Sequence, residues 1–351
     1  MPAEDTQAGV APVVALAVTD EDRMHDSLAQ GLQGTDFGFA VRDEFVLITD
    51  SQDRADHIAG AERTLADDKN FAGDRAALAG DQVALAWADF SALTSLLPEE
   101  AGAALPGGMI AGPDLGGRFI LGVHAQADAL EMVGLGFSAS DLGQPSTEPT
   151  RLIQDLPDDT VAALGASRMG DRAVALWEEL DKSGALGQAG DPLAQLGLDF
   201  PDDLRSILGT DLVVAAFGDL DDPSFGARVL TEDPQGAFDA LHGILTAPEF
   251  RGVLNSWMLA DGGYVLATDD ETTSVLSADG GLGETDAFRA AVADPDHAGV
   301  IGYVDLAAVI DQLVAQGGDT AEEAAKYSAV EALGYSVDEK GGRVTLRITT
   351  R

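Results

Sequence analysis

Apolar and polar residues alternate over many short stretches of the chain, and polar turns separate these stretches. The segments FAVRDEFVLITD (39–50) and WMLADGGYVLATD (257–269) each set two apolar runs around such a turn, which predicts a β-hairpin. Each hairpin runs into a predicted helix. The pattern therefore favours a fold in which strands and helices alternate.

Five segments of the first half recur in the second half in the same order, which indicates an internal duplication. The matched pairs are 18–32 with 230–245, 39–50 with 257–269, 45–59 with 264–278, 83–97 with 300–313, and 119–139 with 332–350. In this alignment Phe45 corresponds to Tyr264. We predict an α+β fold of two tandem duplicated domains, each a mainly antiparallel sheet with helices packed on one face.

The predicted domains are a first repeat at 10–140 and a second repeat at 155–351, joined by a linker at 140–159 that is rich in proline, serine and threonine. Only the second repeat has an extra front end, up to Asp219, with predicted strands at 161–166 and 212–217 and helices between them. The first repeat therefore lacks two leading strands. We expect them to be lost, replaced or supplied by the other copy, and their loss leaves a sheet edge that needs cover.

Several of these segments carry a resemblance to a known family. LPDDTVAAL, LGLDFPDDLRSILGTDLVVAAFGD, YVLATD, AGVIGYVDL and GGRVTLRITT resemble the actinobacterial family called domain of unknown function 3352, over residues 156–351. The resemblance implies a membrane-anchored N-terminal region followed by an extracytoplasmic tandem repeat. It implies no catalytic residues, because the family has no established enzymatic activity.

The charge of the chain narrows the range of partners. Sixty-one acidic residues stand against twenty basic ones, for a net charge of -41, which repels nucleic acid and anionic lipid head groups. Such acidity is typical of a surface adapted to high salt or of a GC-rich genome. The acidic start MPAEDTQAGV is unlike a signal peptide, so we expect a soluble chain that reaches a membrane only through an anchor it does not contain.

Metal and cofactor chemistry finds little support in the residue pattern. The chain has no cysteine, and its five histidines never lie four residues apart, so local zinc ligand pairs are not expected. No nucleophile elbow or phosphate-binding loop occurs. Two loops offer weak calcium candidates, and we prefer a turn or helix-cap role for the same acids; these are Asp219, Asp221, Asp222, Asp294 and Asp296. We predict no cofactor.

Acidic residues at strand ends are predicted to cap helices. Thr49-Asp50 and Thr268-Asp269 recur at the same place in the two repeats, as do Thr19-Asp20 and Thr231-Glu232, and Asp89 and Asp305 end later strands. A carboxylate there accepts the free N–H groups of a helix start and matches the helix dipole. We prefer this interpretation to a pair of duplicated acidic sites.

One long segment is a candidate contact site. Residues 98–118 are rich in glycine and proline yet carry four large apolar side chains, namely Leu105, Met109, Ile110 and Leu115. We expect the protein to be a non-enzymatic extracytoplasmic envelope module with a binding or spacer role, whose partner is an unknown envelope protein or an apolar ligand. One alternative is a carrier that holds an apolar or lipid-like ligand between sheet and helices. Another is a hydrolase with two buried carboxylates in a cleft.

Overall fold

The computed structural model describes residues 13–18, 20–89, 117–138, 150–182, 198, 200–245, 254–259, 262–278, 280–338 and 342–351. These residues fall into two compact units. One lies within Met1–Ala79, Trp87–Ile120 and Phe137–Ser140, and the other within Gly80–Ala86, Leu121–Gly136 and Asp141–Arg351. Residues 80–86 and 121–136 of the predicted first repeat thus belong to the second unit.

Strands and helices alternate in the first part of the chain, as the pattern predicted. In chain order the elements are β1 (Val13–Ala17), α1 (Glu21–Gly31), β2 (Gly38–Arg42), β3 (Phe45–Thr49), α2 (Gln52–Ala59), α3 (Lys69–Ala77), β4 (Ala84–Asp89), β5 (Gly117–Ala125) and β6 (Ala129–Ser138).

The rest of the chain contains more elements of the same kinds. They are β7 (Ala162–Ser167), α4 (Met169–Lys182), α5 (Asp202–Leu208), β8 (Asp211–Asp219), β9 (Asp222–Leu230), α6 (Pro234–Leu245), β10 (Asn255–Met258), β11 (Gly263–Ala267), α7 (Asp270–Ser277), α8 (Asp286–Ala291), β12 (Val300–Asp305), α9 (Leu306–Gln316), α10 (Gly318–Ala324), β13 (Val330–Asp338) and β14 (Arg343–Thr350). The two strands predicted for the front end of the second repeat are confirmed as β7 and β8.

The structure mixes helices with antiparallel sheet, as predicted. The first unit has a three-stranded sheet in the order β1-β3-β2. The second unit holds β7 to β14 and parts of β4, β5 and β6, in a sheet with the order β10-β11-β9-β8-β7-β12-β13-β14-β6-β5-β4. The order β9-β11-β10 repeats the order β1-β3-β2.

The structural alignment of these two sheets is shifted by one residue from the sequence alignment. Val18 N–H donates to Glu44 O, and in the same turn of the second unit Thr231 N–H donates to Gly262 O. Asp20 caps α1 by accepting from Arg23 N, and Asp233 accepts from Gly236 N in α6 in the same way. The structural equivalent of Phe45 is therefore Gly263 and not Tyr264, which the sequence alignment paired with it.

The prediction that helices lie on one face is wrong for the second unit. Tyr264 and Val265 are neighbours on β11, so their side chains point to opposite faces of the sheet, and both are buried. Tyr264 packs with Ala237 and Leu241 of α6, while Val265 belongs to a cluster that includes Phe288 of α8. Helices therefore cover both faces of the sheet at this strand.

The predicted linker is also wrong over its second half. Thr150, Leu152, Ile153 and Leu156 are all buried, and the three apolar side chains belong to the main core cluster of the second unit. The proline, serine and threonine that suggested a linker lie mostly at 139–149, outside the described residues. Among the helices that the structure describes, none is both long and apolar enough to cross a membrane.

Candidate functional site

The strand β1 presents an apolar surface that other elements leave open. Val14 and Leu16 are 50% and 49% exposed, and Ala15 and Ala17 are exposed as well. Because successive side chains of a strand point to opposite faces, β1 is uncovered on both faces. We call Val14 to Ala17, together with the outward edge of the strand, the β1 surface.

The backbone of β1 also directs groups to its outer edge, where no described strand pairs with them. Gln52 bonds both the N–H and the C=O of Phe39, so these groups point away from β3. Phe39 lies opposite Ile48, and Ile48 lies opposite Val14, so the alternation of an antiparallel ladder directs Val14 toward β3. It follows that Val13, Ala15 and Ala17 point outward, and within the described residues β1 pairs with β3 alone.

The opposite edge of this sheet is covered at Phe39. The side-chain amide of Gln52 accepts from Phe39 N at 3.2 Å and donates to Phe39 O at 2.9 Å, so it occupies the place of a residue on an added strand. The helix α2, which begins at Gln52, packs against β2 and β3. An exposed edge is a template for a further strand, and in this three-stranded sheet β1 pairs with β3 alone among the described residues.

The equivalent edge in the second unit is occupied. Gly226, Arg228 and Leu230 of β9 correspond to Val13, Ala15 and Ala17, and all three face the antiparallel strand β8. Leu230 O accepts a hydrogen bond from Thr210 N at 2.8 Å there. Val229, the equivalent of Leu16, is only 2% exposed. The β1 surface is thus the part of this sheet that β8 and its neighbours cover in the second unit.

A pair of glycines explains where the helix after each hairpin lies. A Cβ on Gly38 of β2 would come within 2.3 Å of the Gln52 backbone, whereas a Cβ on Gly226 of β9 would come within 2.3 Å of Leu276 in α7. Both glycines flank the same position of the middle strand, Thr49 in one sheet and Ala267 in the other. Accordingly α2 packs over β2, whereas α7 packs over β9 and β11, and none of the described helices packs closely on that face of β1.

The predicted calcium ligands do not come together. Asp219 and Asp222 pair at the turn between β8 and β9, and Asp221 accepts from Gln316 Nε2 at 3.1 Å. Asp294 contacts His297 Nδ1 at 2.8 Å and has a positive φ of 48°, as in a turn. The described part of the chain contains no group of three or more histidine or acidic side chains arranged to hold a metal ion.

The predicted contact segment cannot be placed, because Leu105, Met109, Ile110 and Leu115 lie outside the described residues. The β1 surface was not predicted from the sequence.

The sequence nevertheless contains a sign of it, because Val13 to Ala17 read VVALA, a strand with no charge, no proline and no glycine to protect its edge. The predicted missing leading strands pointed to this same place.

The capping predictions hold at some strand ends and not at others. Asp20, Asp269 and Asp305 accept helix N–H groups from Arg23, Thr272 and Ala308. The prediction for Asp50 is wrong, since Ser51 stands at the N-cap and Asp50 Oδ1 accepts from Arg54 Nε at 2.7 Å. That for Glu232 is also wrong, because Asp233 caps α6. The one-residue offset between sequence and structure explains both errors.

A buried ion pair that the sequence did not reveal lies in the first unit. Arg118 of β5 donates to both carboxylate oxygens of Asp74 in α3, at 2.8 and 3.1 Å, and Trp87 Nε1 donates at 2.9 Å. Hydrogen bonding from Arg118 holds the pKa of Asp74 below its usual range, against the opposing effect of burial. A carboxylate held ionised and engaged by these donors is a poor general acid or base. The sequence signal was an acid on the apolar stripe of Phe71 and Leu78.

In the described part of the second unit, burial raises the pKa of one carboxyl group, that of Asp211. Its oxygens accept from Thr150 Oγ1 at 2.7 Å and from Arg151 N at 3.0 Å, so the group anchors the buried segment 150–156 to β8. This role is structural. The hydrogen-bond partners of Asp211 include no second acid, whereas the hydrolase alternative requires two buried carboxylates in one cleft.

A surface cavity of about 630 Å³ also lies in the second unit. Its lining includes two acids, Asp158 and Glu284, beside Pro157, Val275, Ala278, Gly280, Gly281 and Thr285. The layer between sheet and helices is filled elsewhere by Phe288, Leu282, Ile301 and their neighbours. The carrier alternative stays a prediction, and lipid analysis of the purified protein by mass spectrometry is its test.

No family model, curated protein or solved structure matches this chain. The fold and the site still define a class of protein: an antiparallel α+β protein with an open apolar strand edge. Proteins that recognise partners by strand addition use such an edge, where main-chain hydrogen bonds supply affinity and alternate side chains supply specificity.

Proposed function

We propose that the protein is a non-enzymatic, extracytoplasmic module of the cell envelope with a binding or spacer role, and that it engages a protein partner by accepting a strand at β1. One observation carries the proposal. Val13, Ala15 and Ala17 direct backbone groups outward that have no strand partner among the described residues, at the position where Gly226, Arg228 and Leu230 are paired with β8.

We also propose that the two units arose by tandem duplication. The proposal is supported by the shared strand order β1-β3-β2 and β9-β11-β10, and by the paired caps Asp20 and Asp233. An aromatic contact recurs as well: Phe71 lies 5.7 Å from Trp87, and Phe288 lies 5.4 Å from Tyr303, between ring centroids. The envelope location rests on the resemblance to the family of unknown function 3352 alone.

A peptide with the sequence of β8, DLVVAAFGD, tests the strand-acceptor function. In the second unit Val213 pairs with Arg228 and Ala215 with Gly226, so the peptide is expected to set Val213 opposite Ala15 and Ala215 opposite Val13. We expect slower amide exchange at Ala15 and Ala17 when the peptide is added, because their N–H groups become hydrogen-bonded. Exchange at Val14 and Leu16, which face β3, is the internal reference.

The control peptide carries Val213→Pro, which removes the N–H that would face Ala15. It is expected to bind at least about tenfold more weakly, since one central hydrogen bond is lost and the strand backbone is distorted. Equal effects of the two peptides, or no protection at Ala15 and Ala17 at millimolar peptide, would reject the strand-acceptor function. Recovery of the native protein from the cytosol of fractionated cells would contradict the envelope location separately.

A further inference from the structure

We infer that the strand accepted at β1 is the β1 strand of a second copy of this chain, paired antiparallel about a two-fold axis at Ala15. This inference rests on the proposed strand-acceptor function and names the partner of that same surface. Two-fold symmetric dimers, in which a surface patch meets the same patch of the second copy, are the commonest homo-oligomers, because a two-fold axis closes the assembly.

The outward groups of β1 fit this symmetry. They belong to Val13, Ala15 and Ala17, which are spaced evenly about Ala15. In the antiparallel pair Ala15 lies opposite its own copy, and Val13 lies opposite Ala17. All three are positions that exchange both N–H···O=C bonds in such a ladder, so every outward donor and acceptor of the strand is satisfied.

The side chains of β1 fit as well. VVALA in β1 is of the same kind as LVVAA (212–216) in β8, which fills the equivalent edge of β9. In the symmetric pair Val14 of one copy lies beside Leu16 of the other, so the two half-exposed apolar residues of each strand cover each other. Nothing within β1 opposes this contact, since the strand has no charge, proline or bulge.

Acidic groups lie near both ends of β1, since Asp50 adjoins the residue that lies opposite Val13. Asp20 follows the strand, and the turn of Asp43 and Glu44 lies beside the same end, where Glu44 O bonds Val18 N. In an antiparallel pair the acids that follow β1 in one copy therefore lie near Asp50 of the other copy, whose carboxylate forms an ion pair with Arg54 at 2.7 Å. The net charge of -41 still opposes association over longer distance, and salt screens that repulsion.

The contact is small, since five residues from each copy form it. Small interfaces give weak, reversible association. We therefore expect a monomer–dimer equilibrium at micromolar to millimolar concentration in analytical ultracentrifugation, with the dimer fraction rising as sodium chloride increases from 0.02 M to 0.5 M, a range of roughly 20 Å to 4 Å in Debye length.

Ala15→Pro is the decisive variant. It removes an N–H that points outward, so the β1–β3 ladder keeps its hydrogen bonds while the central pair of the dimer loses two by symmetry. We expect the dimer to be weakened at least about tenfold. Leu16→Lys is a second variant that places charge on the same surface, and Val214→Lys, at a comparably exposed valine of the interior strand β8, is its control.

Cross-linking gives the register. Because the chain has no cysteine, Ala15→Cys carries a single thiol, which is expected to join two copies through a short bismaleimide. Ala72→Cys, exposed on α3 of the same unit, is expected to give no such product. A chain that stays monomeric at every salt concentration, or that dimerises equally well with Ala15→Pro, overturns the inference. If the β8 peptide still protects Ala15 and Ala17 in that case, the strand-acceptor function survives and only self-pairing is lost.

Discussion

The sheets β1-β3-β2 and β9-β11-β10 share their strand order and helix caps. They differ in the outer strand on which the helix after the hairpin packs, which is β2 in the first sheet and β9, the equivalent of β1, in the second. A glycine lies on β2 in the first sheet, at Gly38, and on β9 in the second, at Gly226, and in each case the following helix packs at the glycine. Val13 occupies the place of Gly226, and Asn255 occupies the place of Gly38. In each sheet, the helix thus packs on the outer strand that contains the glycine.

The comparison extends to the helix and strand that follow. Asp74 and Arg118 form an ion pair in the first unit. The matched contacts Phe71–Trp87 and Phe288–Tyr303 align Asp74 with Ala291, and the matched bonds Val83 N to Val123 O and Gly299 N to Val337 O align Arg118 with Ala332. Both alanines are buried in the core of the second unit. One unit thus has a salt bridge where the other has two methyl groups. Replacing both residues of a buried ion pair by apolar ones changes the free energy of unfolding little. Replacing only one of them is destabilising, because the other charge is left buried without its counterion.

Asp74→Ala is expected to show the largest effect, a loss of about 3 kcal/mol in the free energy of unfolding. The value lies at the low end for buried pairs because the Arg118 side chain is 29% exposed and can reach water. Because the folded pKa of Asp74 is lowered, its contribution is fully present above the unfolded pKa near 3.9 and is lost as pH falls through the folded pKa. Denaturant unfolding monitored by Trp87 fluorescence, with Trp177 and Trp257 replaced by phenylalanine, reports the first unit.

The control is the double variant Asp74→Ala/Arg118→Ala, which gives the first unit the pair found in the second. We expect the double variant to cost less than the sum of the two single variants, because the second change removes the unpaired charge. Strict additivity of the two single effects would show that the ion pair is not coupled and would contradict the prediction.

Gly226→Val is expected to cost about 2 kcal/mol, since the new side chain collides with Leu276 of α7 and the helix must shift. It places in the second sheet the residue that the first sheet has at Val13. The reverse change, Val13→Gly, is expected to cost less than about 1 kcal/mol, the amount by which glycine weakens a strand, because none of the described helices packs closely on β1. The two thermal unfolding midpoints measure the difference. Equal costs would mean that the glycine does not determine where the helix lies.

The sequence predicted the strands and helices correctly more often than it predicted which residues of the two repeats are equivalent. The hairpins 39–50 and 257–269 formed β2–β3 and β10–β11, because alternating apolar residues around a turn leave few other structures. The match of Phe45 to Tyr264 misled by one residue, since the strands share a composition that fits several offsets. A shift of one residue reverses every side chain of a strand, and only hydrogen bonds such as Val18 to Glu44 reveal it.

The candidate site could be predicted only in part. The missing leading strands indicated an open edge in the first unit, and VVALA carries no residue that protects one. The face left bare by α2 could not be foreseen, because it depends on a contact between Gly38 and Gln52 that joins a strand to the start of the next helix. The ion pair of Asp74 with Arg118 was hidden for the same reason, since its partners are distant in the chain.

Asp269→Ala is expected to cost about 1 kcal/mol, the usual effect of removing an N-cap. Asp269 accepts from Thr272 N at 2.7 Å and from Thr272 Oγ1 at 2.8 Å, and these bonds, with that to the Thr272 backbone first, lower its pKa to about 2. Its stabilising effect is therefore complete above pH 4 and disappears as pH falls through about 2. Unfolding of wild type and variant at several pH values measures this; a difference that stays constant down to pH 2 would contradict it.

Ser51→Asp is expected to produce the smallest effect, a gain of about 0.5 kcal/mol. Ser51 stands at the N-cap of α2, as Asp269 does at that of α7, and its backbone has the same extended form, yet its side chain makes no capping hydrogen bond. An aspartate there is expected to accept from the free N–H groups of the first turn and to match the helix dipole. Ser51→Ala is the matched control and is expected to be nearly neutral, since it removes no bond. If Ser51→Asp destabilises the first unit instead, repulsion from the adjacent Asp50 outweighs the cap, and the two helix starts are not interchangeable.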